Sequence, residues 1–349
     1  MRQIHLLIYL FSIVFSASSS FLSAQNDTSS TKKYCTLKVS CSSPFKILSI
    51  GYDYQATNTL SVNNETTPSA LLNNTLGGNE KSNINYNQGL RVAANVPVLT
   101  KKRCMVILGL SYLENKYNFS DATPLAPLPK NLNDNGLRSM GASYAIFIPL
   151  NATCFLLNQS NFDLSGDYNF SQFQDLSTTK ISSALLIGYK PHERRQIAIG
   201  LSRTYRGGEL AYLPVLLYNY TFPNRKWGIE SLLPARLAVR YTVNPKNILL
   251  CGFMSEGNSY YLGNLMKNNP GIAYKQLELK RSELRVRVVY ERSLYKFIWL
   301  SLQAGYRINT KFNIDDGDVY KGFSTKTYLM ENKLTSPFYA TIAINLVAP

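Results

Sequence analysis

The sequence is short of histidine, tryptophan and acid, and each shortage excludes something. Of 349 residues only two are histidine and two tryptophan. His5 falls in an N-terminal leader, which leaves His192 alone in the rest of the chain. A serine or cysteine nucleophile needs a base to take its proton, most often histidine. His192 lies in the basic turn sequence "GYKPHERRQ", and no Asp/Glu pair stands out as a substitute, so the chain is read as a non-enzyme and no catalytic residue is assigned. The five cysteines show no metal-ligand spacing. Asp315, Asp316 and Asp318 surround Gly317 but lack the later bidentate glutamate of a calcium loop, so no metal and no other cofactor is expected. Beyond the leader there is no run of about 18 apolar residues, which excludes a further membrane-spanning helix.

Basic residues, in contrast, are in excess: 37 Lys+Arg against 21 Asp+Glu give a net charge of +16. Such a balance suits nucleic acid, an anionic membrane surface or anionic solutes. The first 24 residues narrow the choice. Arg2 is followed by the apolar "IHLLIYLFSIVF" and then by the small, polar "SASSSFLSA". This is the pattern of a signal peptide cleaved after Ala24, and export removes nucleic acid from the expected partners. Residues 25–44 read as a polar, loosely ordered segment, in which Cys35 and Cys41 are candidates for pairing in an oxidising compartment.

From about residue 45 the chain alternates apolar and polar residues with period two, the signature of strands with two different faces. In "KISSALLIGYK", Ile181, Leu185, Ile187 and Tyr189 oppose Lys180, Ser182, Ala184 and Gly188. In "PFYATIAINL", Phe338, Ala340, Ile342 and Ile344 oppose Thr341, Ala343 and Asn345. The second face is small or polar rather than uniformly charged, as in a transmembrane barrel with an apolar outside and a polar lumen. Tyr189, Phe297, Trp299, Phe338 and Tyr339 stand near strand ends, where interfacial aromatic girdles are expected. About twelve strands are expected, within a range of ten to fourteen, joined by alternating short and long connections. That is the outer-membrane pattern of short periplasmic turns and long extracellular loops. One stretch resists: residues 209–231 are too apolar for a surface loop. They are read as an inserted hairpin plugging the mouth of a barrel that spans 45–349, with Tyr212, Leu216, Tyr218 and Trp227 as plug residues.

The mature chain resembles an uncharacterised family of Bacteroidota outer-membrane β-barrel proteins, a domain of unknown function. The resemblance rests on "LPVLLYNYTFPNRKWGIESLLPARLAVRY" (213–241), "EGNSYYL" (256–262) and "LELKRSELRVRVVYERSLYKFIWLSLQAGYR" (277–307). It implies a barrel in the outer membrane of a Gram-negative bacterium. Its implied partners are outer-membrane lipid and, during biogenesis, the barrel-assembly machinery. It implies no substrate.

The stretch "RSELRVRVVYERS" (281–293) sets the orientation. Arg281, Glu283, Arg285 and Arg287 share one parity, and Leu284, Val286, Val288 and Tyr290 the other. Arginine facing lipid near the midplane costs about 2–4 kcal/mol per residue, so the charged parity must face the lumen. The same rule turns Arg91, Lys180, Arg236, Arg240 and Arg307 inward. The expected lumen is therefore basic, with Glu283 and Glu291 as counter-charges. It is read as a partly plugged passage for small anions, with a non-conducting structural or surface-binding barrel as the alternative and an outer-membrane lipid enzyme as the less favoured third.

Overall fold

The computed structural model describes residues 34–63, 81–120, 126–169, 175–272, 274, 276–317 and 328–348. The expected leader, 1–24, lies outside the described residues. Among the described residues sixteen strands form one sheet, antiparallel throughout except for a single parallel bridge between Gly166 and Tyr261. They are β1 (Lys46–Gln55), β2 (Asn58–Asn63), β3 (Lys81–Lys101), β4 (Cys104–Phe119), β5 (Leu137–Pro149), β6 (Cys154–Gly166), β7 (Lys180–His192) and β8 (Arg195–Thr204) in the first half. The second half holds β9 (Ala211–Thr221), β10 (Trp227–Leu233), β11 (Arg236–Asn244), β12 (Asn247–Tyr261), β13 (Glu278–Tyr295), β14 (Ile298–Asp315), β15 (Glu331–Leu334) and β16 (Phe338–Val347). β1 pairs with both β3 and β16, which closes the sheet into a barrel. β2 and β15 continue β1 and β16 past two- and three-residue breaks, so the closed wall has fourteen strands. The expected number of about twelve was too low.

The difference lies in residues 209–231. They are not an inserted plug. β9 and β10 are wall strands, paired with β8 and β11 in continuous antiparallel register. The reversal that makes this possible is a turn at Pro234 and Ala235, entered through a cis Leu233–Pro234 peptide bond. It is a short turn at the end of the barrel where the other connections are long, so it breaks the alternation on which the smaller count rested. As wall residues, Tyr212, Leu216 and Tyr218 face outward with the parity of the apolar side, and Trp227 packs outside against Tyr241.

The alternation elsewhere is realised as expected. Outward side chains form an apolar belt that includes Ile50, Leu110, Ile187, Leu201, Val286, Val288, Ile342 and Ile344, all exposed. Inward positions are buried although no single core fills the barrel. Parity also corrects two aromatic assignments. Tyr189, Phe297 and Phe338 are exposed on the outside, but Trp299 and Tyr339 are buried on the inside. Adjacent residues in a strand cannot share a face, so Phe338 and Tyr339 could not both belong to an outer girdle.

Wall height varies. β3, β13 and β14 have 21, 18 and 18 residues, whereas β10 and β11 have 7 and 9. At the tall side the loop end is closed by an apolar cluster. Helix α1 (Pro127–Asp134) contributes Leu128 and Leu132, one turn apart on one face, and α2 (Gly263–Asn268) contributes Leu265. They pack on Leu60, Ile84, Phe119, Leu279, Phe312 and Ile314 of the wall. Asp167, just beyond β6, ties the two helices together. Its carboxylate accepts from the Asn264 and Leu265 amides of α2 at 3.0 and 2.9 Å and from the Asn131 side chain of α1 at 2.9 Å.

Candidate functional site: the filled lumen

The centre of the lumen is an ion-pair network that reaches across strands distant in the wall. Asp53 of β1 accepts from Arg91 of β3 at 3.0 Å, Arg285 of β13 at 3.3 Å and Arg307 of β14 at 3.1 Å, and from the Thr341 hydroxyl at 2.7 Å. Arg91 also grips Glu256 of β12 in a bidentate pair, both contacts 2.9 Å. Between β3 and β12 the wall runs through β1, β16, β14 and β13. A 2.9 Å contact between strands five steps apart along the wall is a bridge through the interior, because neighbouring strands are spaced by about 4.8 Å.

The register explains why the arginines are needed. Glu256 and Glu283 face each other directly across β12 and β13. Like charges in such a pair repel. Arg285 relieves the repulsion by donating to both, at 3.1 Å to Glu256 and 2.5 Å to Glu283. Arg281 donates to the second Glu283 oxygen at 2.8 Å. Tyr339 lies beneath, with the Arg285 and Arg307 guanidiniums 5.2 and 4.9 Å from its ring centroid. Arg287 donates to Gln303 at 2.9 Å and has no carboxylate at ion-pair distance among the described residues.

The inward residues named from the sequence therefore divide. Arg91, Arg281, Glu283, Arg285, Arg287 and Arg307 come together in this one network. Lys180 also points inward but lies nearer the loop end, where it binds the fully buried Glu278 alongside Lys280. Arg240 lies nearer the turn end, 0% exposed, donating to Glu230 at 3.0 Å and to the Thr221 hydroxyl at 3.1 Å. Arg236 shares the inward parity of Arg240, beside Leu232 and Met254, but stands exposed at the low rim of the wall next to the Pro234 turn. Glu291 pairs with Lys46 at 2.5 Å near the turn end, outside the central network. The expected basic ring is thus a partly compensated cluster, its arginines held by Asp53, Glu256 and Glu283. Sequence reading missed Asp53 and Glu256, although "SIGYDYQ" places Asp53 and Gln55 on the parity opposite Tyr52 and Tyr54.

Both mouths are filled as well. At the turn end residues 34–43, expected to be loosely ordered, are packed into the barrel. Lys190 donates to the Thr36 carbonyl, the Thr36 hydroxyl and the Lys38 carbonyl at 2.9, 2.7 and 2.6 Å. The Ser43 amide and hydroxyl donate to Glu230 at 2.8 and 3.0 Å. Cys35 and Leu37 join an apolar cluster with Phe147, Phe155, Leu186, Ala198, Val215 and Leu217. Cys35 is buried and Cys41 exposed, both as free thiols, so the two candidates do not pair. At the loop end the segment 205–210 folds inward. Gly208, at φ +86°, lies against the Arg281 backbone, where a Cβ would stand 2.8 Å from the carbonyl oxygen. Glu209 beyond it pairs with Lys311 and accepts from the Tyr328 hydroxyl at 3.2 Å. His192 is exposed at the turn end, accepting the Arg194 amide at Nδ1.

Comparison with solved structures returns outer-membrane barrels at low similarity. An outer-membrane channel from Pseudomonas putida F1 is 12% identical, with 93% of this chain and 100% of that chain covered and a TM-score of 0.36. A Pseudomonas aeruginosa FadL homologue is 8% identical, covering 87% and 90%, with a TM-score of 0.38. The P. putida toluene transporter TodX is 11% identical, covering 86% and 89%, with a TM-score of 0.35. No protein-family model matches the chain, and no curated protein does.

Proposed function

We propose that the protein is an outer-membrane β-barrel and a passage for small anionic solutes, held shut in the present conformation. Embedding is supported by the outward belt of Ile, Leu, Val and Tyr, which in water would be a contiguous apolar patch of a kind soluble proteins avoid. In a bilayer it is the ordinary outer face of a barrel. By the usual outer-membrane arrangement the turn end faces the periplasm and the loop end the outside.

One observation carries the choice of cargo. The central network sets Arg91, Arg281, Arg285, Arg287 and Arg307 against Asp53, Glu256 and Glu283, five cations against three anions. A lumen opened by drawing these groups apart is positive, and rings of arginine favour anions. The second reading, a non-conducting structural or surface-binding barrel, is favoured by the closure of both mouths through residues 34–43 and the α1–α2 cap.

Single-channel recording separates the two. The intact mature barrel should be silent or open rarely in a planar bilayer. A variant lacking residues 34–43 and carrying Glu256→Gln should conduct, with a reversal potential shifted toward the anion. Adding Arg287→Gln should reduce that shift. Silence from every form, with each barrel shown to be folded by its heat-dependent electrophoretic migration, would overturn the passage and leave the structural role.

A further inference from the structure

The turn end of the barrel carries a rim of basic side chains that the lumen does not use. Three stand at the last outward positions of their strands. Lys101 closes β3 opposite Cys104, on the outward parity of Leu108 and Leu110. Arg195 opens β8 opposite Tyr220, on the outward parity of Ile199 and Leu201. Arg292 follows Tyr290 on β13, on the outward parity of Val286 and Val288. All three are exposed, and each sits one outward step beyond the apolar belt. The turns add Lys102 and Arg103 after β3, Arg225 and Lys226 after β9, and Lys246 after β11, all exposed.

Among the described residues none of these cations has a carboxylate at ion-pair distance, and Glu193 is the one exposed acid in the turns at this end. At the loop end, by contrast, Lys116, Arg206 and Lys311 are paired with Glu114, Asp163 and Glu209. Aromatic rings mark the level of the rim. Tyr220 stands across from Arg195, Trp227 follows Lys226 and packs on Tyr241, and the Lys296 ammonium lies 5.9 Å from the Tyr295 ring centroid. Tyrosine and tryptophan concentrate where hydrocarbon gives way to headgroups. A basic residue at that depth lays its stem on apolar surface and its charge in the headgroup layer.

We infer that this rim is a docking surface for the anionic headgroups of phospholipids in the membrane leaflet that the turn end meets. Parity argues for lipid over a soluble acidic partner, because Lys101, Arg195 and Arg292 leave the wall on its outer side and not along the barrel axis. Charge argues against a second copy of the chain, whose own rim would repel this one. The inference rests on the membrane-embedded part of the proposed function and is independent of passage through the lumen.

Native mass spectrometry of the detergent-purified barrel tests it, with phosphatidylglycerol and phosphatidylcholine of identical chains as probes. The wild type should retain phosphatidylglycerol in preference, and the preference should shrink as salt rises, because exposed charges are screened. One basic side chain at an anionic surface is worth about fivefold, so Lys101→Gln, Arg195→Gln and Arg292→Gln together should lower the preference by about fivefold or more. Lys81→Gln, Lys130→Gln and Lys267→Gln, which remove the same charge from exposed positions at the loop end, should change nothing. Equal retention of the two lipids by the wild type, or an equal loss in both triple variants, would overturn the rim. Binding of polyglutamate without a preference for phosphatidylglycerol would assign the rim to a soluble acidic partner and overturn the lipid reading too. Flotation with phosphatidylcholine liposomes isolates the embedding: a folded chain that does not float overturns it as well, whereas one that floats but shows no preference overturns the rim alone.

Discussion

One lumen is filled by two opposite chemistries. From β12 through β13, β14, β16 and β1 to β3 the inward side chains are charged and hold one another through Asp53, Glu256 and Glu283. From β5 to β9 the turn-end cluster is apolar, with Phe147, Phe155, Leu186, Ala198, Val215 and Leu217 together, although Lys180 and Lys190 of β7 also point inward. Both halves exclude water, but they fail differently. An apolar cluster loses contacts in proportion to the atoms removed. A charged cluster loses more than the deleted pair, because the partners left behind are buried charges with no compensation. The charged half is therefore the more sensitive to loss of a single side chain.

The largest expected effect breaks the charged half. Glu283→Gln removes the shared acceptor of Arg281 and Arg285 and should cost about 3–5 kcal/mol, the usual penalty for orphaning a buried ion pair. Urea unfolding of the refolded barrel, followed by electrophoretic migration, measures it. Adding Arg285→Met should lose less than the sum of the single changes, since each removes what the other leaves unpaired. Additive losses would show that the network is a set of independent pairs.

The matching change in the apolar half is Phe155→Ala, at about 3 kcal/mol for a fully buried ring. It should be additive with changes in the charged half. Gly188 sharpens the comparison from the other direction. It leaves the space that the Phe155 ring occupies, and a Cβ there would overlap the ring. Gly188→Ala should cost about 1–3 kcal/mol by overpacking, and Phe155→Leu in the same chain should recover part of it.

A smaller effect is expected where the two halves meet the N-terminal segment. Lys190→Met removes the three donations that fix Thr36 and Lys38. It should cost about 1–3 kcal/mol, as for hydrogen bonds to a charged group, and should expose residues 34–43 to limited proteolysis while the barrel stays folded. Protection equal to wild type would show that the apolar contacts of Cys35 and Leu37 hold the segment alone.

How much of this was legible depended on distance along the chain. The orientation of β13 could be read within thirteen residues, because arginine and glutamate alternate with valine and leucine there. The same held for β7 and β16. What could not be read was who meets whom. Asp53 lies more than two hundred residues before Arg285 and Arg307, and only closure of the barrel brings β1 beside β16 and β3. Residues 209–231 were misread for a local reason. The Pro234–Ala235 turn has neither glycine nor asparagine and stands at the end where long loops are the rule. Counting connections favoured a plug, whereas the parity of Tyr212, Leu216 and Tyr218 against Leu213, Val215 and Leu217 already described a wall strand. The packing of residues 34–43 had no signal of its own, since its anchors are Lys190 and Glu230 on distant strands.

The smallest effect concerns the cap, where the apolar and polar modes meet in one residue. Asp167 is buried between α1 and α2, and burial pushes its carboxyl up from the ordinary carboxylate range against the pull of the Asn264 and Leu265 amides and the Asn131 side chain. A group whose folded pKa is raised holds a proton more readily in the folded state, so it contributes most below its unfolded pKa and loses that contribution as pH rises through the folded value. The α1–α2 cap should therefore loosen slightly as pH rises through the titration of Asp167. Asp167→Asn keeps an acceptor without the charge and should hold the cap with no such dependence. Asp167→Ala, which leaves the two amides without their acceptor, should cost about 1–2 kcal/mol at any pH, as loss of a helix-capping side chain does. Proteolysis of the loop-end cap across the pH range reads all three. A wild-type cap that tightens as pH rises would mean that the amide donors outweigh burial, and that Asp167 belongs to the charged mode of the lumen and not to the apolar one.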